Sequence, residues 1–145
     1  MCDLVGNWSL ASYRLIGSHG RERFPYGKDA TGCLLYSPDG HMAVSIMRSG
    51  RRPFAGSDIL RRTTEEAAEA TRTYLSYCGT YTIHASTIVH HVALSLYPNW
   101  TGSDQVRYFR LFGDALELST APFDHEDGRP RAELVWRRVG ASGRP

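Results

Sequence analysis

Long hydrophobic runs, cysteine pairs and a leader segment are all missing from this sequence. No apolar stretch approaches the roughly 20 residues that a membrane-spanning helix needs, so we expect no membrane partner. Cys2, Cys33 and Cys78 are odd in number and widely spaced, which predicts three free thiols rather than disulfides or a zinc site. The N-terminus lacks a basic and apolar leader, which predicts a cytoplasmic protein.

Excess charge of one sign and known catalytic motifs are missing as well. The 17 basic residues, among which Lys28 is the only lysine, nearly balance 15 acidic ones. The net charge of +2 therefore does not favour nucleic acid as a partner. There is no Gly-x-Ser-x-Gly elbow, phosphate-binding loop or dinucleotide fingerprint. We expect neither a cofactor nor a metal.

What the sequence does contain is repeated two-residue alternation of apolar and polar side chains. The length of 145 residues predicts one domain over 1–140 and a frayed tail over 141–145. Within that domain the alternation predicts eight strands. They run from Leu4 to Ile16, Gly32 to Tyr36, His41 to Met47, Thr80 to Ala85, Thr87 to Tyr97, Gln105 to Phe112, Ala115 to Ala121 and Arg131 to Val139.

One short α-helix is predicted between the third and fourth strands. Thr63 and Glu66 have the spacing of a capping box, and apolar residues recur at intervals of three and four as far as Cys78, before Gly79. This helix either packs against the sheet or covers an opening in it. Eight short strands with a single helix are typical of an all-β antiparallel barrel, with a two-sheet sandwich as the alternative.

Residues at the two ends of the strand series suggest that the sheet closes. Trp8 follows Gly6 in the first strand, and Arg138 lies in the last strand. If the two strands pair, the guanidinium of Arg138 can stack on the Trp8 ring and plug one end of a barrel. An eight-stranded barrel is just wide enough to hold one small ligand.

Two adjacent histidines and an arginine are the candidate catalytic residues. Neighbours on a strand point to opposite faces, so only one of His90 and His91 faces the interior, and the two do not share a metal. An interior imidazole is either a general acid or base or a neutral core group. Arg107, if it faces inward, must be paired or must bind an anionic or carbonyl ligand. On the predicted strand from Thr87 to Tyr97, which carries the two histidines, one face holds Ile88, His90, Val92, Leu94 and Leu96.

Amphipathic and aromatic side chains supply the candidate ligand-binding wall. Tyrosine combines an apolar ring with a polar tip, which suits a pocket wall as well as a core position. The residues that we expect to contact a ligand are Tyr13, Tyr36, Met42, Tyr81, Ser95, Trp100 and Trp136.

Taken together, these segments resemble the lipocalin-like domain family of small bacterial and fungal barrels. The resemblance covers nearly the whole chain, and its most specific part runs from Pro98-Asn99-Trp100 to Gln105-Val106-Arg107. The other segments that carry it are Leu4 to Leu10, Gly32 to Met42, His90-His91, Leu118 to Thr120 and Leu134 to Val139. The resemblance implies a calycin-type barrel around an apolar cavity.

The resemblance implies binding of a hydrophobic small molecule, but it does not fix an activity. Members of this family often lie in biosynthetic gene clusters, and related barrels include cofactor-free cyclases and isomerases. We therefore interpret the chain as a cofactor-independent cyclase or isomerase of natural-product biosynthesis. The alternative is a carrier that sequesters a hydrophobic metabolite. A third alternative, a haem-binding barrel, is less favoured than these two. The sequence does not determine whether the protein forms a homodimer.

Overall fold

A computed structural model of the protein describes residues 3–140, so Cys2 and the predicted tail over 141–145 lie outside the described residues. Apart from one helix and one 3₁₀ turn, its regular elements within residues 3–140 are strands. The elements, in chain order, are β1 (Gly6–Ile16), β2 (Glu22–Arg23), β3 (Thr31–Tyr36), β4 (His41–Met47), α1 (Thr64–Arg72), β5 (Tyr74–His84), β6 (Thr87–Ser95), a 3₁₀ turn (Pro98–Trp100), β7 (Asp104–Phe112), β8 (Ala115–Ser119) and β9 (Arg131–Arg138).

The sheet closes into an antiparallel barrel of eight strands. Strand β1 and strands β3 to β9 each pair with the next, and β9 returns to pair with β1. The closing register runs from Trp8 opposite Arg138 to Ile16 opposite Arg131. The predicted barrel is confirmed, and the sandwich alternative is excluded. Strand β2 lies outside the barrel and pairs with the last residues of β1.

The sequence pattern predicted the helix between the third and fourth strands, and this position is wrong. The helix follows β4 and precedes β5, because the short strand Glu22–Arg23 adds one strand to the count before it. It begins with the predicted capping box, in which Glu66 N–H donates to the Thr63 hydroxyl and the Glu66 carboxylate accepts from Thr63 N–H. It also ends earlier than Cys78. From Tyr74 onward the backbone pairs with β4 instead, starting opposite Met47.

A β-bulge between β5 and β6 changes which side chains face inward. Gly79 lies opposite Val92, whereas the next pair joins Cys78 to Leu94 and leaves Ala93 as an extra residue. A Cβ atom at Gly79 would lie 1.9 Å from the carbonyl oxygen of His91, so glycine is required there. Beyond the bulge Leu94 is 68% exposed. The expectation that it shares the inner face of His90 is therefore wrong.

One end of the barrel is filled by side chains. Trp8 is fully buried near the start of β1, and its indole N–H donates to the Leu4 carbonyl oxygen at 3.0 Å. The Arg138 guanidinium carbon lies 4.3 Å from the centroid of the Trp8 ring, and its Nη1 donates to the Val5 carbonyl oxygen at 3.0 Å. This end is therefore closed to a ligand. Within residues 3–140, no helix has the length and apolar character to cross a membrane.

Candidate functional site: a cavity inside the barrel

The other end of the barrel encloses a cavity of about 580 Å³. Its wall is built from residues of the eight barrel strands and from Tyr97, Trp100 and residues 120–123 in the connections between strands. Tyr97, Val106 and Pro122 line it and are also exposed to solvent, which places its mouth beside them. Six aromatic residues contribute to the wall: Tyr13, Tyr77, Tyr97, Trp100, Phe123 and Trp136.

His90 forms the polar floor of this cavity. It is 1% exposed, and it lies between two tyrosine hydroxyl groups, one from β3 and one from β5. Its Nε2 is 2.7 Å from the Tyr36 hydroxyl oxygen, and its Nδ1 is 2.8 Å from the Tyr77 hydroxyl oxygen. Both ring nitrogens are therefore satisfied. A neutral imidazole donates through one nitrogen and accepts through the other, so it matches two hydroxyl partners.

Burial determines the protonation state of this cluster. Burial, together with the nearby positive charge of Arg107, lowers the pKa of His90 from 6.5 to about 3. Burial also raises the pKa values of Tyr36 and Tyr77 above 10, although Arg107 opposes this shift. All three groups are consequently neutral at neutral pH. His90 is poorly suited to exchange protons with a substrate because its conjugate acid is too strong.

His91 lies on the outside of the barrel. Its Nε2 is 2.8 Å from the Thr82 hydroxyl oxygen, and its Nδ1 is 2.8 Å from the Asp104 carboxylate. The two partners belong to the strands on either side of β6, so the three residues form a cross-strand network on the outer surface. Side chains alternate along a strand, and the prediction that one histidine of the pair faces inward therefore selects His90. The sequence also named His91 as a candidate catalytic residue, and its position outside the barrel is not compatible with a role in the cavity.

Arg107 lines the cavity from β7. It is half-buried, and its guanidinium carbon lies 5.8 Å from the Trp100 ring centroid. Its Nη1 donates to the Val106 carbonyl oxygen at 3.0 Å. The sequence left open which face of this strand points inward, and the structure has Arg107 lining the cavity, whereas Tyr108 is 48% exposed and does not line it. Arg107 thus brings a positive charge to a largely apolar wall.

Trp136 adds a second feature, an unsatisfied donor. Its side chain is 1% exposed and lines the cavity from β9. Its indole Nε1 is buried and has no hydrogen-bond partner among the described residues. The indole of Trp8, by contrast, donates to the Leu4 carbonyl oxygen. The two buried tryptophans are therefore in different electrostatic environments.

The predicted ligand-contacting residues divide into two groups. Tyr13, Trp100 and Trp136 line the cavity. Tyr13 packs edge-on against Tyr26, and burial raises the pKa of Tyr13 to about 12. The remaining four predicted residues, Tyr36, Met42, Tyr81 and Ser95, do not line it.

Each residue of the second group has a structural reason for its position. Tyr36 and Met42 are buried in the core near the closed end, at 1% and 3% exposure. Tyr81 packs edge-on against Tyr36 and donates its hydroxyl to the Ser37 carbonyl oxygen at 2.7 Å. Ser95 accepts a hydrogen bond from the backbone N–H of Tyr97. Alternation identified the inner face but not the depth at which the cavity begins.

Several residues of the wall were not among the predicted ligand contacts. Tyr77 lies on β5, although the helix was expected to extend to Cys78, and Tyr97 follows the bulge after Val92, which changes which side chains face inward. Phe123 lies in the loop between β8 and β9, where periodicity gives no signal. Tyr97 and Tyr77 both pack edge-on against Trp100, at 5.7 and 5.5 Å between ring centroids. An aromatic cluster thus extends from the floor to the mouth.

The site contains no arrangement suited to a metal ion. Across residues 3–140, no group of three or more histidine, cysteine, aspartate or glutamate side chains is close enough to hold one. The residues that line the cavity include no aspartate and no glutamate. What the cavity offers is apolar and aromatic surface, tyrosine hydroxyl groups, the Gln105 amide and the Arg107 guanidinium.

Comparison with known proteins agrees with this architecture. The 4'-hydroxy-3'-methoxypropiophenone carrier protein ppsC of Aspergillus oryzae is 39% identical over 107 residues, which cover 68% of this chain and 96% of that protein. No solved structure matches the chain. The family described as lipocalin-like domain matches residues 5–139. The chain therefore belongs to the lipocalin-like domain family.

Proposed function

We propose that the protein is a carrier that binds one small, largely apolar molecule inside the barrel and releases it unchanged. The cavity of about 580 Å³ is the observation that carries the proposal. Ligand cavities in proteins typically measure about 300–1,000 Å³ and combine apolar walls with a few polar groups. This cavity has that composition, and it is open at one end of a barrel whose other end is plugged.

The wall favours an aromatic guest. Six aromatic side chains surround the space, and rings of a guest stack on such side chains or meet them edge-on. The named ligand of the Aspergillus oryzae relative, 4'-hydroxy-3'-methoxypropiophenone, is itself an aromatic ketone. We therefore assign to this chain a guest with an aromatic ring and oxygen substituents.

A cyclase or isomerase is the second candidate, because Arg107 is placed to polarise a carbonyl group of a guest. The histidines give this candidate little support. Both nitrogens of His90 are engaged by tyrosine hydroxyl groups, its pKa is lowered to about 3, and His91 is outside the barrel. A carrier needs none of these groups to move a proton, so it is the simpler function for this cavity.

Titration with 4'-hydroxy-3'-methoxypropiophenone tests the proposal. Fluorescence of Trp100 and Trp136 reports occupation of the cavity, and chromatography of the released compound reports its chemical state. We expect one molecule to bind per chain and to be recovered unchanged. Conversion of the compound over many turnovers would instead support the enzyme. Absence of binding by this compound and by other aryl ketones of similar size would overturn the carrier.

A matched pair of variants locates the binding site. Ala132 is buried and lines the cavity, so Ala132→Phe places a ring into the empty space. Leu94 is 68% exposed on the outer surface, so Leu94→Phe makes a comparable change away from the cavity. We expect Ala132→Phe to weaken binding at least about tenfold and Leu94→Phe to leave it unchanged. Equal affinities would place the guest outside the barrel.

A further inference from the structure

Arg107 brings a positive charge into the cavity that no acidic group neutralises. The residues that line the cavity include neither aspartate nor glutamate. No ion pair to Arg107 is found among residues 3–140. Its guanidinium donates to the Val106 carbonyl oxygen, lies 5.8 Å from the centroid of the Trp100 ring and is hydrogen-bonded to the Tyr77 hydroxyl group, and none of these partners is an anion. A partly desolvated guanidinium without an anion is unusual, because charges inside proteins are normally paired.

The titratable groups that face Arg107 across the barrel are neutral. They are Tyr13 on β1, Tyr36 on β3, Tyr77 on β5 and His90 on β6. Burial raises the pKa values of the three tyrosines and lowers that of His90. None of these groups supplies a negative charge at neutral pH.

The acidic residues on the strands beside the cavity have partners elsewhere. Glu117 on β8 pairs with Arg110, and Glu133 on β9 pairs with Arg14 and Arg131. Asp104 on β7 accepts from His91 on the outer surface. The counter-charge for Arg107 must therefore come from the guest or from solvent.

We propose that the cavity holds its guest as an oxyanion, with a phenolate oxygen paired to the Arg107 guanidinium. The inference rests on the proposed function and specifies its guest. The guest class is an aromatic phenol that is acidified by a conjugated carbonyl group. Binding of the neutral phenol breaks its O–H bond, releases the proton to water and leaves the electron pair on the oxygen. A guanidinium binds such an oxygen through charge-assisted hydrogen bonds, which are stronger than neutral ones.

The absorbance of a bound probe distinguishes the two charge states. The phenolate of 4'-hydroxy-3'-methoxypropiophenone absorbs at longer wavelength than the phenol, because its charge is conjugated with the carbonyl group. We expect the bound compound to ionise at a pH at least about one unit lower than the free compound. That shift corresponds to about a tenfold preference for the phenolate. Between the bound and free pKa values of the probe, binding releases protons to the buffer, about half a proton per molecule midway between two values one unit apart.

Variants at two arginines of β7 assign the effect to the interior charge. Arg107→Gln removes the charge but keeps hydrogen-bond donors, and it should abolish the shift. Arg107→Lys keeps the charge and should restore part of it. Arg110 is on the outer face of the same strand, where it pairs with Glu117. Arg110→Gln changes the net charge equally and should leave the shift intact.

A probe that cannot ionise separates this inference from the carrier function. 3',4'-Dimethoxypropiophenone has the same skeleton without an acidic hydroxyl group. We expect it to bind the wild-type protein more weakly than the phenol does, and to lose less affinity than the phenol on the change Arg107→Gln. These two comparisons of affinity, like the absorbance shift, measure whether the protein recognises the charge of the guest. A change in folding alone would not produce them.

The possible results have different meanings. If both probes bind wild type equally well and the bound phenol keeps its free pKa, the inference is overturned and the carrier function stands. If neither probe binds, the carrier function is overturned and the inference with it. If Arg107→Gln does not fold, the absorbance titration of the wild-type protein and the comparison of the two probes still decide whether the guest is bound as a phenolate.

Discussion

The Nδ1 atom of His90 lies 2.8 Å from the hydroxyl oxygen of Tyr77, in the interior of the barrel. On the other side of the ring, Nε2 lies 2.7 Å from the hydroxyl oxygen of Tyr36. The three groups lie on β6, β5 and β3, so the cluster connects strands that are not all neighbours in the sheet. Burial keeps the imidazole uncharged, which makes the cluster sensitive to acid.

Acid should therefore destabilise the protein through His90. The unfolded imidazole takes up a proton near pH 6.5, whereas the folded one does so only at about pH 3. The stability that His90 contributes is fully present above pH 6.5 and is lost as the pH falls from 6.5 towards 3. The free energy of unfolding should fall by up to about 1.4 kcal/mol per pH unit in that window.

Urea denaturation at pH 7 and pH 5 measures this loss. The lowered pKa of Glu133 makes its own contribution decline only below 4.5, outside this range. His90→Gln is the control, since glutamine has a donor and an acceptor but does not titrate. We expect wild type to lose about 2 kcal/mol more than His90→Gln between the two pH values. Parallel losses would show that His90 is protonated in the folded protein.

The bulge at Gly79 should tolerate no larger residue. A Cβ atom there would lie 1.9 Å from the His91 carbonyl oxygen, so the strands must separate next to His90. We expect Gly79→Ala to cost about 3 kcal/mol or more in unfolding free energy, or to prevent folding. Gly56→Ala, with no atom within 4 Å of the added Cβ, should change stability by less than about 0.5 kcal/mol. Equal effects would rule out this strand pairing.

The same bulge shows where prediction from sequence succeeds and where it stops. Two-residue alternation predicted the barrel strands and the opposite orientations of His90 and His91, because both depend only on local periodicity. It failed after Val92, where one extra residue exposes Leu94. The only local sign was a glycine in the partner strand, and many strand glycines accompany no bulge.

Other errors came from ambiguity in the pattern and from packing. Tyr74, Leu75 and Cys78 fit helical spacing, but this segment pairs with β4 as a strand. The depth of the cavity depends on how side chains from all strands fill the closed end. Met42 therefore belongs to the core although it lies on the correct face, whereas Phe123 reaches the cavity from a loop.

Arg138 should stabilise the closed end of the barrel. Its guanidinium covers the Trp8 ring at 4.3 Å and donates to the Val5 carbonyl oxygen. We expect Arg138→Ala to lower the free energy of unfolding by about 1–2 kcal/mol. Arg137 is the exposed neighbour on the other face of β9, so Arg137→Ala should be close to neutral. Equal losses in urea denaturation would mean that the stacking contributes nothing.

The two buried tryptophans should respond differently to replacement by phenylalanine. Both changes remove part of a large apolar side chain and create similar voids. Trp8→Phe also leaves the Leu4 carbonyl oxygen without its donor, whereas Trp136→Phe removes an N–H group that has no partner in the described chain. An unpaired buried donor costs about 1–3 kcal/mol, and deleting it recovers that cost.

We therefore expect Trp136→Phe to cost about 1–3 kcal/mol less than Trp8→Phe in urea denaturation. Because Trp136 lines the cavity, Trp136→Phe should also enlarge the space available to a guest. Trp136→Phe should therefore change the affinity for 4'-hydroxy-3'-methoxypropiophenone. Trp8→Phe should leave this affinity unchanged, since the closed end around Trp8 does not contact the cavity. Equal losses of stability would show that the Trp136 N–H is as well satisfied in the folded protein as that of Trp8.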